Sequence, residues 1–160
     1  MLLVFKPFKI GDLIVAAGVT GIVKDIGLFN TELATLDNVK VIVPNGKAYG
    51  DVIRNISGYD TRRVDMVFGI GYRSSIAKAY EIMQGLIKED ARILTDPAPQ
   101  IAVSELADSS VNFVVRPWVK AEDYWGVKFD LVRKVKERFD EAGVEIPFPQ
   151  RTVHLLKEEA

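Results

Sequence analysis

The six residues from Gly69 to Ser74 are the stretch whose types and spacing come nearest to a ligand-binding motif. They read Gly-Ile-Gly-Tyr-Arg-Ser, follow a strand-like pattern and precede a helical one. A dinucleotide fingerprint carries a further glycine at the position of Ser74, and it belongs to a doubly wound parallel sheet, which the order of elements here does not predict. We therefore expect these glycines to let the strand end bend beneath the helix, and we predict no cofactor.

Side chains suited to acid–base, nucleophilic or metal chemistry are few and dispersed along the chain. His154 is the single histidine, and a metal site needs several ligands that converge. Ser74 and Ser75 have no partner histidine, and the carboxylates are scattered over the faces of predicted helices. Without cysteine, disulfides and thiolate ligands are excluded. The sequence therefore predicts no catalytic residue, no metal site and no enzyme activity.

The composition is that of a globular protein with no strong electrostatic preference. The 160 residues are 48% hydrophobic and 27% charged, with a net charge of −1. This length suits one domain or two small ones, and this charge gives no broad attraction to nucleic acid or anionic lipid. The longest apolar run, Leu13 to Val19, falls short of the roughly 20 residues that span a membrane. We expect a soluble chain without direct membrane insertion.

Residues 8 to 58 predict a small β unit. Glycines at 11, 18, 21 and 27 separate short β-rich runs, and Val39 to Val43 and Val52 to Ser57 favour later strands. Between these two, Pro44-Asn45-Gly46 predicts a turn, because Asn and Gly tolerate a positive φ. About five strands in so short a unit indicate a bent barrel of the Sm-like or SH3-like kind.

Residues 59 to 148 predict an α/β unit. The pattern gives a strand from Arg63, a helix after a cap at Ser74-Ser75, strands at 101 to 103 and 111 to 119, a helix from about Glu122 that ends before Gly143, and a last strand from Val144 to Phe148. The order β-α-β-β-α-β is the ferredoxin-like split βαβ arrangement.

Residues 149 to 160 predict one further strand and a tail. Thr152, His154 and Leu156 share one face of an alternating pattern, and Val153 and Leu155 share the other. A strand appended to a finished fold leaves an unpaired edge, which a second chain would satisfy.

Several of these stretches together resemble the small-conductance mechanosensitive channels of the MscS-like family. The resemblance covers nearly the whole chain, through KPFKIGD (6 to 12), GIVKDIGLFNT (21 to 31), VIVPNGK (41 to 47), SSVNFVVRPW (109 to 118) and the run from Phe139 to Pro149. It implies that residues 1 to 7 are the remnant of the end of a pore helix and that the membrane helices lie outside this sequence.

The family resemblance implies a function for the chain as a whole. It would be the cytoplasmic vestibule of a bacterial or archaeal channel that releases ions and small osmolytes on hypo-osmotic shock. Its partners would be other copies of itself, in a ring of seven with side portals that filter solutes, and the pore helices of the full-length channel.

The resemblance also implies two sets of contact residues. Phe29, Pro44, Asn45 and Gly46 match positions that pack against neighbouring subunits or the pore helix, and Thr152, His154 and Leu156 match one strand of an intersubunit barrel. Because the strand edges of the β unit need partners, we expect that unit to provide most of the subunit contact.

A free-standing regulatory module that binds a small ligand or RNA is the alternative. An RNA site needs stacking aromatic rings with basic residues beside them. The aromatic residues of the β unit have few basic neighbours, so the sequence predicts no nucleic-acid partner. A ligand screen would separate a regulatory module from a passive shell.

Overall fold

The computed structural model describes residues 6–155, and the chain divides into two compact units after Asp60. Each unit has a hydrophobic core of its own. In the part of the chain that the structure describes, no helix combines the length and the apolar character that crossing a membrane requires.

The first unit is a five-stranded antiparallel sheet with one short helix. Its strands are β1 (Leu13–Ala16), β2 (Val19–Ile26), β3 (Asn30–Ala34), β4 (Lys40–Pro44) and β5 (Arg54–Asn55). They lie in the order β4-β3-β2-β1-β5, and helix α1 (Asn45–Tyr49) follows β4 directly. The five strands expected from the sequence are therefore present.

A tight hairpin and alternating burial explain how this sheet forms. Ala17 and Gly18 connect β1 to β2 with φ of 49° and 75°, and positive φ at both central residues suits the right-handed twist of paired strands. The side chains on the inner face are buried in one cluster with Phe8. They come from β1 to β4: Ile14, Ala16, Val23, Leu33 and Val43.

Two local expectations for this unit are wrong. The turn expected at Pro44-Asn45-Gly46 is instead the end of β4 and the start of helix α1, and neither Asn45 nor Gly46 has a positive φ. Pro44 pairs with Asn30 because β4 is an edge strand, where a missing N–H removes no ladder bond. The strand expected from Val52 to Ser57 shortens to β5.

The second unit combines two small sheets with two helices. Its elements are β6 (Thr61–Arg63), β7 (Met66–Ile70), α2 (Ile76–Glu89), β8 (Gln100–Leu106), β9 (Val111–Arg116), β10 (Trp118–Lys120) and α3 (Tyr124–Ala142). One sheet has the order β7-β9-β8, and the other pairs β10 with β6. The single first strand expected from Arg63 is thus two strands in different sheets.

The core of the second unit lies between the three-stranded sheet and the helices. Strand β9 buries alternate residues, as the pattern predicts. Helices α2 and α3 each bury one stripe in the same cluster: Ala79, Met83, Leu86 and Ile87 from α2, and Val127, Leu131, Val135 and Phe139 from α3. The predicted cap at Ser75, which accepts from Lys78 N–H, and the predicted C′ glycine Gly143, with φ of 69°, are confirmed.

The last strand expected in this unit, from Val144 to Phe148, does not form. Glu145 reaches the end of β7 through a hydrogen bond from Gly71 N–H to its carbonyl, at 2.9 Å. Its own N–H donates to Ser74 Oγ at 3.0 Å, so a side chain takes the place of a ladder partner. Pro147 and Pro149 have no N–H to donate, which prevents a regular ladder beyond this point.

Candidate functional site

The hairpin tip, residues Gly27 to Asn30, presents two large apolar side chains to solvent. It joins β2 to β3, and Gly27 N–H donates to the Asn30 carbonyl at 2.8 Å. The relative exposures of Leu28 and Phe29 are 71% and 80%. Adjacent exposed apolar side chains on an ordered turn indicate a contact surface rather than a chemical site.

Asn45 holds the hairpin tip through its backbone and both ends of its side chain. Its backbone N–H donates to the carbonyl of Phe29 at 2.9 Å. Its Nδ2 donates to the carbonyls of Gly27 and Leu28 at 2.9 and 3.1 Å. Its Oδ1 accepts from the hydroxyl of the buried Thr31 at 2.8 Å. One side chain therefore satisfies the backbone of the turn and fixes its shape.

Pro44 and Gly46 lie beside Asn45 and are exposed. Pro44 has a φ of −59° and precedes the first residue of α1. The carbonyl of Gly46 accepts from Gly50 N–H at 3.1 Å, which closes the helix. The structure thus brings together Phe29, Pro44, Asn45 and Gly46, the residues predicted to contact other subunits or a pore helix. That contact itself stays a prediction.

A second set of hydrogen bonds anchors the segment that enters the first unit. Asp12, which is only 6% exposed, accepts from Lys9 N–H at 3.0 Å and from Asn55 Nδ2 at 2.8 Å. Ser57 Oγ accepts from Leu13 N–H at 2.8 Å, and Phe8 is buried in the core. The partners of Asn55 and Ser57 lie more than 40 positions earlier along the chain, so no local pattern predicts these bonds.

Two of the three predicted C-terminal contact residues, Thr152 and His154, are exposed. Thr152 and His154 lie in an irregular segment after Pro149 and form no strand with the rest of the described chain. Leu156 and the expected pore-helix remnant up to Phe5 lie outside the described residues. The prediction of an intersubunit barrel strand is therefore untested.

One charged network joins α3 to the segment that follows α2. Arg92 Nη2 lies 2.7 Å from Asp90 Oδ2 and 2.8 Å from Asp130 Oδ2. The hydrogen bonds from Arg92 lower the pKa of Asp90 and of Asp130 below the usual range. A carboxylate held ionised by a guanidinium is a weak base, so this network stabilises structure rather than transferring protons.

Within residues 6–155, no group of three or more His, Asp or Glu side chains is arranged to hold a metal ion. The glycines of the 69 to 74 stretch have side chains of the second unit as their near neighbours. A Cβ on Gly69 would lie 2.9 Å from Asn112 Oδ1, and one on Gly71 would lie 3.0 Å from a carboxylate oxygen of Glu145. Both glycines therefore lie against the ends of side chains of the second unit.

Two protein-family models match the chain. The model described as "Mechanosensitive ion channel, beta-domain" matches residues 1–58, and the model "Mechanosensitive ion channel MscS, C-terminal" matches residues 64–146.

Individual relatives match almost all of the chain. It is 43% identical over 99% of its length to an uncharacterized MscS family protein of Synechocystis, and 41% identical over 98% to a small-conductance mechanosensitive channel of Edwardsiella ictaluri. It spans 54% and 55% of these proteins, about half of each.

A solved structure agrees with these sequence matches. The crystal structure of Helicobacter pylori MscS in its closed state superposes with a TM-score of 0.92 at 30% identity. The match covers 98% of this chain and 62% of the other.

Proposed function

This chain belongs to the MscS family of mechanosensitive ion channels, and we propose that it forms the cytoplasmic vestibule of such a channel in a bacterial or archaeal cell membrane. The channel would release ions and small osmolytes on hypo-osmotic shock. The observation that carries this proposal is the match to MscS over 98% of the chain at a TM-score of 0.92. Similarity this extensive supports a shared role for the whole chain rather than for one motif.

The proposed vestibule is a ring of seven copies with side portals that filter solutes. Residues 8–58 would be its Sm-like β domain, residues 59–148 its ferredoxin-like domain, and residues 149–160 its barrel strand and tail. Edge strand β4 supports assembly, because its backbone needs a partner and it carries Ile42 at 57% exposure, with the adjacent Val39 at 53%. Residues 1–7 would continue a pore helix.

The hairpin tip is the proposed contact with a pore helix or a neighbouring subunit. Phe29 offers an apolar ring, and Asn45 fixes the turn beneath it through hydrogen bonds of 2.9 to 3.1 Å to three consecutive carbonyls. A rigid apolar contact loses little conformational entropy on docking. A rigid hairpin tip of this kind could couple a movement of the pore helix to the first unit.

A chimera tests the proposed function. The 160 residues would replace the matching part of the Edwardsiella ictaluri channel, and the chimera would be expressed in a bacterial strain that lacks its own mechanosensitive channels. We expect survival of hypo-osmotic shock to approach that given by the intact channel. Stable, membrane-inserted chimera that gives no protection and no tension-activated current in patch-clamp recordings would contradict the proposal.

A further inference from the structure

An open hollow lies in the second unit, beside the C-terminal half of α2. It has a volume of about 480 Å³ and is bounded by α2, the segment that follows it and the start of β8. Its apolar lining includes Ile87, Ile93, Leu94 and Ile101. Ile87 and Ile93 are buried side chains of the core, so the floor is part of the fixed structure. Pockets that hold small molecules have about 300–1,000 Å³ and mostly apolar linings.

Polar groups from α2 border the same hollow. Tyr80, Gln84 and Lys88 follow one another at a spacing of four residues, so they share a face of the helix. Lys88 is exposed, and no described carboxylate forms an ion pair with it. Lys88 also lies in the last turn of α2, where a cation offsets the partial negative charge of the helix end.

The acidic group at the hollow is already neutralised. Asp90 is 8% exposed, and both of its carboxylate oxygens accept hydrogen bonds from Arg92, at 2.9 and 2.7 Å. A ligand therefore meets an apolar floor and, at the edge, an ammonium group without a partner carboxylate among the described residues. This combination favours a molecule with an apolar body and a single negative charge.

We propose that this hollow is a binding site for a small anionic amphiphile, with the apolar body against Ile87, Ile93 and Ile101 and the anionic group at Lys88. The ligand class is a medium-chain carboxylate or an organic anion of similar shape. Such a site gives the protein a way to bind a small effector within the second unit. The proposal stands apart from the channel function, because it rests on this hollow alone.

Octanoate, below its critical micelle concentration, is the probe. Isoleucine δ1-methyl NMR spectra of the 160-residue chain would be recorded during a titration, since methyl signals persist in large assemblies. We expect saturable shifts at Ile87, Ile93 and Ile101 and none at Ile14, which lies in the core of the first unit. Shifts that do not saturate, or that spread equally to Ile14, would overturn the proposal.

Two matched pairs of variants locate the site. Ala91→Phe narrows the hollow that Ala91 lines, whereas Ala98→Phe adds the same ring at an exposed position outside the lining. We expect octanoate binding, measured by calorimetry, to be lost in the first variant and retained in the second. Equal binding by the two variants would contradict the proposal.

The charge at Lys88 is tested in the same way. Lys88→Gln should weaken octanoate binding about tenfold, as expected for the loss of one charge-assisted hydrogen bond, and Lys120→Gln, at the exposed end of β10, should leave it unchanged. Thermal unfolding of both variants serves as the check on folding. 1-Octanol, which lacks the charge, should bind at least tenfold more weakly than octanoate; equal affinity of the two would refute an anion site.

Discussion

Asn45 donates its backbone N–H to the carbonyl of Phe29 at 2.9 Å, so the first residue of α1 holds the backbone of a residue that is 80% exposed. The Asn45 side chain adds bonds to the two preceding carbonyls and to Thr31. The rigid part and the contact part of the hairpin tip are therefore different residues, and mutation can separate their effects.

Replacing Asn45 should destabilise the first unit. Asn45→Ala removes three side-chain hydrogen bonds and leaves the hydroxyl of the buried Thr31 without this partner. We expect the free energy of unfolding to fall by about 1–3 kcal/mol, measured by urea denaturation. Lys47→Ala, an exposed position on the same helix, should change it by less than about 0.5 kcal/mol; similar losses in the two variants would argue against a special role for Asn45.

Replacing Phe29 should leave the stability of the first unit unchanged and alter channel opening. Its ring is exposed, so Phe29→Ala should change the free energy of unfolding by less than about 0.5 kcal/mol. In the chimeric channel, the same change should shift the tension needed for opening in patch-clamp recordings. Tyr59→Ala, at 85% exposure, is the control. An unchanged tension threshold for opening in Phe29→Ala would contradict the proposed contact.

The buried carboxylate of Asp12 should hold the entering segment. Asp12→Ala leaves Asn55 Nδ2 and Lys9 N–H without their 2.8 and 3.0 Å partner, and we expect a loss of about 2–3 kcal/mol in the free energy of unfolding. Limited trypsin digestion should then cut faster after Lys9. Asp60→Ala, at an exposed position, should digest like the unmodified chain, and the idea fails if Asp12→Ala does as well.

The ion pair of Asp90 with Arg92 should make the free energy of unfolding depend on pH. Arg92 lowers the pKa of Asp90 in the folded chain. The pair's contribution to the free energy of unfolding is therefore fully present above the unfolded pKa of about 3.9. It is lost as the pH falls through the lower pKa of the folded chain. Asp90→Asn should therefore be less stable than the unmodified chain at pH 7, with a difference that shrinks below about pH 4. Denaturation at several pH values measures this, and a constant difference would contradict it.

The tail should contribute to assembly. Native mass spectrometry of the 160-residue chain should give a heptamer, and a chain shortened to end at Pro149 should give smaller or weaker oligomers, because the proposed barrel strand is removed. A strictly monomeric full chain at high concentration would mean that the ring needs contacts from outside these residues. A shortened chain that assembles equally well would exclude the barrel.

The fold was predictable where a local pattern decides it. Alternation placed β9, and capping at Ser75 and Gly143 bounded the helices, because these signals lie within a few residues of their effects. The pattern failed at Pro44 to Gly46, where edge-strand pairing with Asn30 allows Pro44 to end a strand and begin a helix. It also failed at Val144 to Phe148, where prolines and Ser74 interrupt a ladder.

The candidate site was predictable only in part. The family resemblance predicts Phe29 and Asn45 as contact residues, and that contact stays a prediction. Nothing local predicts that Asn45 would bond carbonyls 17 and 18 positions earlier. Leu28, the second exposed side chain of the hairpin tip, was missed. The sequence shows two consecutive apolar residues, Leu28 and Phe29, between two strand-like runs. This pair indicates an exposed apolar turn only once β2 and β3 are known to pair.

The bond between Asp12 and Asn55 ties together the beginning and the end of the first unit's polypeptide, and β1 and β5 pair beside it. A pull on the chain at Lys6 and at Asp60 would therefore be carried by this hydrogen bond, by the bonds between Leu13 and residues 56 and 57, and by the pairing of β1 with β5. Strands β2 to β4 lie outside the path along which this force is transmitted, so they would keep their shape under load. The apolar hairpin tip at Phe29 would therefore not be distorted by the pull.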